Sequence, residues 1–287
     1  MSQMKKVKIG IVGHGFVGKT TDWGFNKNVE KFIVDPIYEN TIDDLSNFKP
    51  KIVFVCVPTP MQYDGDQDAS IILDVIKELK AKCKESIIVV KSTVLPSILK
   101  SLESLCDKLI YNPEFLREKN AKEDFKNSSI IIFGGNRTHA DEVSKIYLHH
   151  SRCLTTEHFF TDLITASLIK YTINTFLATK VLFFNEIHSI FKSSSTNTDW
   201  EEFIKIISFD ERIGASHMSV PGHDGKKGFG GACFPKDISA FIKYADKIGT
   251  EVSLIKSVQR ENNSIRRSYK DTDHREKEQN ISYDDNI

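Results

Sequence analysis

A cysteine directly after a glycine-rich run indicates nucleophilic chemistry in the stretch GKKGFGGACFPKD, residues 225–237. Proline is favoured in the first turn of a helix, so the pattern predicts that Cys233 lies just ahead of a helix N-terminus, near Lys236. Both features favour the thiolate, which is the nucleophilic form. Asp237 follows one turn later, where it would orient water or another donor. The alternative is a buried, unreactive thiol, which is our interpretation of the other cysteines: Cys56, Cys83, Cys106 and Cys153.

Two other segments place charged or amide side chains among apolar ones. In NPEFLRE, which follows a predicted strand, Glu114 and Glu118 would share one face if the segment is helical, and either could act as a general base. Lys170 and Asn174 lie four residues apart in an apolar helical pattern, where together they could stabilise an oxyanion. The alternatives are acids that stabilise the start of a helix, a surface lysine and a solvated asparagine.

The first part of the chain contains a dinucleotide-binding pattern. Gly13, Gly15 and Gly18 form GxGxxG between a predicted strand and a predicted helix, where they would allow a tight turn, close approach of a pyrophosphate and close helix packing. Asp35 ends the next predicted strand, where it would accept ribose hydroxyls and repel a 2′-phosphate, so NAD is favoured over NADP. The alternative is a glycine-rich turn that binds no ligand.

Weaker signals come from single residues. Thr93, in KST at the end of a predicted strand, could place its hydroxyl beside a cofactor, and Arg212 is a candidate anion clamp. His217 and His223 lie in one loop, but two loop histidines are more often solvated than metal-bound, and we predict no metal site.

The order of apolar patterns predicts the architecture. Five runs are predicted as buried parallel strands: residues 6–13, 51–58, 85–92, 107–113 and 128–135. Helical patterns alternate with them, which predicts an α/β, Rossmann-like doubly wound sheet. A helical domain follows, with one long central helix from about Thr161 to Lys192. The predicted domains are an NAD-binding domain (1–157), a helical domain that carries candidate catalytic residues (158–266) and a polar, disordered tail (267–287).

Composition excludes several classes of protein. Lys plus Arg and Asp plus Glu both number 39, and the resulting net charge of zero argues against nucleic acid or an anionic membrane as partner. Five cysteines without a CxxC pair argue against a disulfide framework and fit a reducing compartment. We find neither a signal-peptide pattern nor an apolar stretch long enough to span a bilayer, and predict a cytoplasmic location.

Several motifs occur in one order: GHGFVG, VPTP, KST, NPEFLRE, KYTIN, DERIG and GFGGACFPKD. In these motifs, over roughly residues 6 to 266, the sequence resembles the UDP-glucose/GDP-mannose dehydrogenase family. The resemblance implies an NAD-dependent, four-electron oxidation of the C6 alcohol of a nucleotide sugar to a carboxylate, with UDP-glucose as the favoured substrate. It also implies a homodimer formed through the central helix.

The resemblance implies roles for the matching positions. The catalytic residues would be a nucleophile that carries a thiohemiacetal and a thioester (Cys233), a general base with its supporting acid (Glu118 and Glu114), oxyanion-stabilising groups (Lys170 and Asn174) and water-positioning groups (Thr93 and Asp237). The NAD site would comprise Gly13, Gly15, Phe16, Val17, Gly18, Asp35, Pro58, Thr59, Thr93 and Lys236. The sugar nucleotide would contact Glu114, Phe115, Leu116, Lys170, Asn174, Arg212 and Gly230.

The sequence departs from the family pattern at three points. A third α/β domain does not follow the helical region, the segment after Asp35 is short, and the loop between Arg212 and Gly228 is longer. That loop could take over diphosphate binding through its basic residues: His217, His223, Lys226 and Lys227. The alternatives are a catalytically silent NAD-binding or oligomer-forming protein, an enzyme for another sugar nucleotide such as GDP-mannose, and a hydroxyacid dehydrogenase with a single hydride transfer.

Overall fold

The computed structural model describes residues 6–284, which divide into two compact units. The first unit contains the described residues up to Thr59 and the segment Asp68–Lys170; the second contains Pro60–Gln67 and the described residues from Tyr171 onward. The division therefore lies inside the long helix and not between residues 157 and 158. The reason is packing, because Leu163 and Ala166 at the start of that helix are buried in the core of the first unit.

A seven-stranded sheet forms the centre of the first unit. Its strands are β1 (Val7–Val12), β2 (Val29–Val34), β3 (Ile52–Val55), β4 (Ile87–Val90), β5 (Leu109–Tyr111), β6 (Ile132–Gly135) and β7 (Phe159–Thr161). Their order in the sheet is β2-β1-β3-β4-β5-β6-β7. The doubly wound fold class predicted from the sequence is confirmed.

One feature of the predicted sheet is wrong. Strands β1 to β5 are parallel to one another, but β6 runs antiparallel to β5, with Ile110 opposite Gly135 and Tyr111 opposite Gly134. β7 is again parallel to β6. An apolar run buried on both faces looks the same in either direction, so the sequence pattern of 128–135 could not predict the direction of β6.

Helices cover both faces of this sheet. They are α1 (Phe16–Gly24), α2 (Ile42–Phe48), α3 (Ser70–Lys82), α4 (Pro96–Leu105), α5 (Ala121–Lys126), α6 (Arg137–His150) and the start of α7 (Leu163–Ser193). Alternate strand residues face opposite cores: Val53 and Val55 pack with α2, α3 and α4, whereas Ile52 and Phe54 pack with α5 and α6. The short segment after Asp35 holds a 3-10 turn, Pro36–Tyr38, and the seven-residue α2.

The second unit is helical. It contains most of α7 together with α8 (Trp200–Ile207), α9 (Phe234–Lys247), α10 (Ser253–Arg267) and α11 (His274–Glu278). The long central helix is confirmed by the 31 residues of α7. Its core joins α7, α9 and α10 through Ala178, Ile238 and Val258. Among residues 6–284, no helix is both long and apolar enough to cross a membrane.

The polar segment from residue 267, predicted as a disordered tail, contains helix α11 and makes specific polar contacts within the described residues up to 284. Helix α11 begins with a capping box in which Asp273 and Glu276 bond to each other's backbone amides. Glu276 is buried and bonds to the rest of the second unit. Composition missed this because specific polar contacts, and not apolar burial, hold the segment. Residues 285–287 of the predicted tail lie outside the described residues.

Candidate active site

The glycine-rich turn after β1 has two structurally required glycines and one that is not. Gly13 has φ of +86°, and a Cβ there would lie 2.9 Å from the backbone of Cys56. A Cβ on Gly18 would lie closer than 3.0 Å to the carbonyl oxygen of Gly13. Gly15, in contrast, has no atom within 4 Å of a Cβ position. The fold therefore explains Gly13 and Gly18, whereas the open space at Gly15 fits close approach of a ligand.

Asp35 lies beside this turn, directly after β2. Its Oδ2 accepts a hydrogen bond from the His14 backbone amide at 2.6 Å, and its Oδ1 accepts from the Ile37 amide at 3.1 Å. A carboxylate can accept further bonds at both oxygens, so this half-buried side chain can also hold ribose hydroxyls. Gly15 is the N-cap residue of α1 and provides no side-chain cap, so the first-turn amides of this helix suit a pyrophosphate. These residues fit a dinucleotide.

The other predicted cofactor residues divide between the units. In the first unit, Thr59 is buried and donates from its hydroxyl to the Thr93 carbonyl oxygen at 3.0 Å, while Pro58 is exposed. Phe16 and Val17 form the half-buried first turn of α1. The remaining predicted residue, Lys236, belongs to the second unit.

The segment after β5 pairs Glu114 with Lys170. Lys170 donates to the Glu114 carbonyl oxygen at 2.6 Å, and its Nζ lies 3.8 Å from Glu114 Oε1. Both side chains are almost fully buried, so the alternative that Lys170 is a surface lysine is wrong. The segment is not helical at Glu114, whose Oε2 accepts from the Leu116 amide at 2.6 Å. The helix that would have placed Glu114 and Glu118 on one face is therefore absent at Glu114. Glu118 is exposed and begins a 3-10 turn.

Lys91 supports the same segment through buried hydrogen bonds, a role that the sequence did not predict. Its ammonium donates to Asn112 Oδ1 at 2.9 Å and lies 3.0 Å from the Tyr147 hydroxyl, which itself donates to Asn112 Oδ1. Asn112 Nδ2 donates to the Ile132 carbonyl oxygen at 2.8 Å. The KST and NPE motifs contained two of these residues, but Tyr147 on α6 carried no signal in the sequence. The cluster fixes the start of the Glu114 segment.

The buried state of Lys91 predicts a pH effect on stability. Burial lowers its pKa to about 8 from an ordinary 10.5, so between these pH values the unfolded chain binds more protons than the folded one. The free energy of unfolding should therefore rise with pH in this window, by about 2 kcal/mol between about pH 7.5 and about pH 9.5. Urea unfolding of the wild type relative to Lys91→Met measures it, since other titrating groups are shared. An equal difference between the two proteins at both pH values would contradict this.

In the second unit, Cys233 is the N-cap residue of α9, as the sequence predicts, with Pro235 in the first turn. Asp237, in the same first turn, is fully buried. Its Oδ2 accepts from Asn174 Nδ2 and its Oδ1 from Lys236 Nζ, both at 2.6 Å. Asn174 is therefore not a solvated residue, and Asp237 orients an amide and an ammonium group. A buried carboxylate held by two donors gives this site a fixed charge distribution.

The glycine-rich loop before Cys233 is held by side chains. The Gly228 amide donates to Asn185 Oδ1 at 3.1 Å, and the Phe229 amide donates to Asn262 Oδ1 at 2.7 Å. The Gly231 amide donates to Glu276 Oε1 at 3.0 Å. Buried irregular backbone needs such partners because it has no secondary-structure bonds. Sequence reasoning missed these three supporting residues, since nothing in their local patterns indicates a distant loop.

The predicted anion clamp, Arg212, is exposed, and one basic residue of the predicted diphosphate-binding loop already has a partner within the protein. Arg212 has an 89% exposed side chain that pairs with Asp210 at 2.6 Å. Lys180, buried on α7, donates to the carbonyl oxygens of Ile213 and Gly214 at 2.8 and 3.0 Å and so holds the Arg212 turn. In the loop of residues 215–227, Lys226 donates to the Asp271 carbonyl oxygen, so that this lysine already has a protein partner.

Three of the remaining cysteines differ in burial from Cys233, which is half-buried. Cys56, Cys83 and Cys106 are buried, and Cys153 is half-buried. Burial raises the pKa of Cys56 to about 12, which keeps its thiol protonated and unreactive. The interpretation of Cys56, Cys83 and Cys106 as buried structural residues agrees with the structure.

The sheet, the glycine turn and Asp35 define a dinucleotide-binding protein of the Rossmann class. The chain belongs to the UDP-glucose/GDP-mannose dehydrogenase family, because residues 47–151 match that family's NAD binding domain and residues 164–264 match its central domain. The resemblance in the motifs is thereby confirmed, and NAD is confirmed as the cofactor of the family domain that this chain carries.

Individual relatives agree with this membership. The UDP-glucose 6-dehydrogenase of Rickettsia bellii is 31% identical, over 89% of this chain and 63% of that protein. A UDP-glucose dehydrogenase structure from Pyrobaculum islandicum has a TM-score of 0.76 at 25% identity, over 91% of this chain and 69% of that one. A GDP-mannose dehydrogenase from Pseudomonas aeruginosa has a TM-score of 0.59 at 25% identity, over 92% of this chain and 69% of that one. This chain thus spans about 63% of the length of the Rickettsia bellii relative.

Proposed function

We propose that the protein oxidises the C6 alcohol of a nucleotide sugar to a carboxylate with NAD, and that UDP-glucose is its substrate. The observation that carries the proposal is Cys233 at the N-cap of α9, one turn before the buried Asp237 that holds Asn174 and Lys236. A dehydrogenase that stops after one hydride transfer needs no such thiol. The choice of UDP-glucose rests on the relative from Rickettsia bellii, whose name states that sugar nucleotide.

The chemistry assigns the thiol to the second oxidation. Removal of a hydride and a proton converts the C6 alcohol to an aldehyde, and the Cys233 thiolate then forms a carbon–sulfur bond to the aldehyde carbon while the aldehyde oxygen takes up a proton. The resulting thiohemiacetal loses a second hydride and its hydroxyl proton to give a thioester. Water then breaks the carbon–sulfur bond, which releases the carboxylate and restores the thiol. NAD supplies the acceptor for both hydrides, one molecule for each oxidation.

The other proposed roles follow from the chemistry of each side chain. Asn174, oriented by Asp237, and the buried ammonium of Lys170 are the proposed oxyanion-stabilising groups. Glu118 is the proposed base for thioester hydrolysis because its carboxylate is exposed and can activate water, and Glu114 is the proposed supporting acid. Thr93, Arg212 and Gly230 keep the roles that the family resemblance implies.

Counting the NADH formed per sugar nucleotide consumed tests the function directly. A panel that contains UDP-glucose, GDP-mannose and N-acetylated UDP-sugars identifies the substrate. A yield of about two supports the two-step route, and a yield of about one limits the protein to alcohol oxidation. NAD binding without NADH formation from any member of the panel would favour a silent binding protein.

The proposed assembly is a homodimer formed through α7. Phe176, Phe183 and Ile190 lie seven residues apart along this helix and are 63%, 55% and 62% exposed. An apolar row with heptad spacing is typical of a helix that packs against another helix. We expect a dimer in sedimentation velocity at micromolar concentration, and a monomer for Phe183→Glu. Leu254→Glu, at an exposed leucine on α10, is the control that should remain dimeric; a wild-type monomer would exclude this assembly.

A further inference from the structure

Residues 269–284, here called the strap, contact the glycine loop and its surroundings at several points. The Lys227 amide donates to the Tyr269 hydroxyl at 3.0 Å, and Lys226 donates to the Asp271 carbonyl oxygen. The Met61 amide donates to the Gln279 carbonyl oxygen at 3.0 Å. The strap is therefore joined to the loop before Cys233 and to the Pro60–Gln67 segment, both within the second unit.

Glu276 is the central contact of the strap, and it is 3% exposed. Its Oε1 accepts from the Gly231 amide at 3.0 Å and from the Tyr283 hydroxyl at 2.7 Å, and its Oε2 accepts from the Asp273 amide at 2.9 Å. A buried carboxylate is costly unless donors surround it, so these bonds commit Glu276 to one position. Burial and the bond to Glu276 raise the pKa of Tyr283, which keeps its hydroxyl protonated as a donor.

The space around Gly230 shows how closely the strap fits the loop. A Cβ at Gly230 would lie closer than 3.0 Å to both Arg266 Nη2 and Glu276 Oε1. Arg266 is itself buried and holds Asp224 Oδ2 through two hydrogen bonds, at 2.6 and 2.7 Å. The Arg266 guanidinium and the Glu276 carboxylate therefore both lie close to Gly230, and they leave the loop backbone little room there. Only two residues, Gly231 and Ala232, separate this point from Cys233.

We propose that the strap fixes the loop that carries Cys233, and that Glu276 is the positioning residue, acting on the thiol through the Gly231 amide. The proposal deepens the proposed function and rests on it for its catalytic meaning. Glu276 does not touch reacting atoms in this assignment. Its effect is to limit the excursions of Gly231 to Cys233, so that the thiol stays at the N-cap of α9.

The test measures two rates in the wild type and in each variant. One is the rate of Cys233 alkylation by iodoacetamide, followed on the Cys233 peptide by mass spectrometry, and the other is the rate of NADH formation. In the full-length Glu276→Ala variant, we expect Cys233 alkylation to rise about fivefold because the loop opens, and kcat to fall about tenfold. Glu276→Gln keeps an acceptor for the Gly231 amide and should return both values to within about threefold of the wild type. Cys153, in the first unit, is the internal reference and should react at an unchanged rate.

Glu278→Ala is the matched control, because it removes a 47% exposed glutamate from the same helix and should change neither value. A folded Glu276→Ala protein with wild-type Cys233 alkylation and kcat overturns the proposal. If Glu276→Ala does not fold, Tyr283→Phe removes one bond to Glu276 and must change Cys233 alkylation by about twofold, or the proposal is wrong. If the wild type forms no NADH, the proposed function fails while the alkylation rates still decide the role of Glu276.

Discussion

Replacing Cys233 by alanine is expected to reduce carboxylate formation by about a thousandfold or more, equivalent to roughly 4 kcal/mol of transition-state stabilisation. Without the thiol no thiohemiacetal forms, so the aldehyde has no covalent tether for the second hydride transfer. The NADH yield should fall from about two to at most about one per sugar nucleotide. Absorbance at the NADH band, together with chromatography of the sugar nucleotides, measures both quantities.

The control for this variant is Cys153→Ala, which removes a half-buried thiol from the first unit. It should retain the wild-type yield, since no proposed step uses that residue. Cys233→Ser should resemble Cys233→Ala because a hydroxyl is a much poorer nucleophile near neutral pH. A Cys233→Ala protein that still gives about two NADH per sugar would contradict the thioester route, whatever its rate.

The sequence predicted those features that local patterns determine. The apolar spacing of α7, the glycines around Gly15 and the Pro235 turn after Cys233 each depend on neighbours in the chain. Such patterns reflect backbone geometry that the residues impose themselves, and the structure has the predicted element in each case.

The features that the sequence did not predict depend on distant contacts. Tyr147 bonds to Asn112 across 35 positions, and Glu276 bonds to Gly231 across 45. Their own neighbours indicate only a helix and a polar tail, because a hydrogen bond between distant segments leaves no local periodicity. The direction of β6 is a similar case, since it depends on the path of the chain between β5 and β6. The segment at Glu114 is a further case, since its contact with Lys170 joins residues 56 positions apart.

Gly15→Ala is expected to weaken NAD binding by about a hundredfold, or roughly 3 kcal/mol, while the protein keeps its fold. The space at the Cβ position is open, so the added methyl group meets no protein atom and can interfere only with a ligand. The stability cost should be at most about 1 kcal/mol, since glycine is the better N-cap residue. Calorimetric titration with NAD gives the affinity, and urea unfolding gives the stability.

Gly18→Ala distinguishes a binding effect from a folding effect in the same motif. Its methyl group would meet the Gly13 carbonyl oxygen, so this variant should lose about 1–3 kcal/mol of stability as well as NAD affinity. The two variants would then show that Gly15 is required by the ligand and Gly18 by the packing of α1 against the turn. If Gly15→Ala bound NAD as tightly as the wild type, the motif would be a structural turn, and the dinucleotide would have to bind elsewhere.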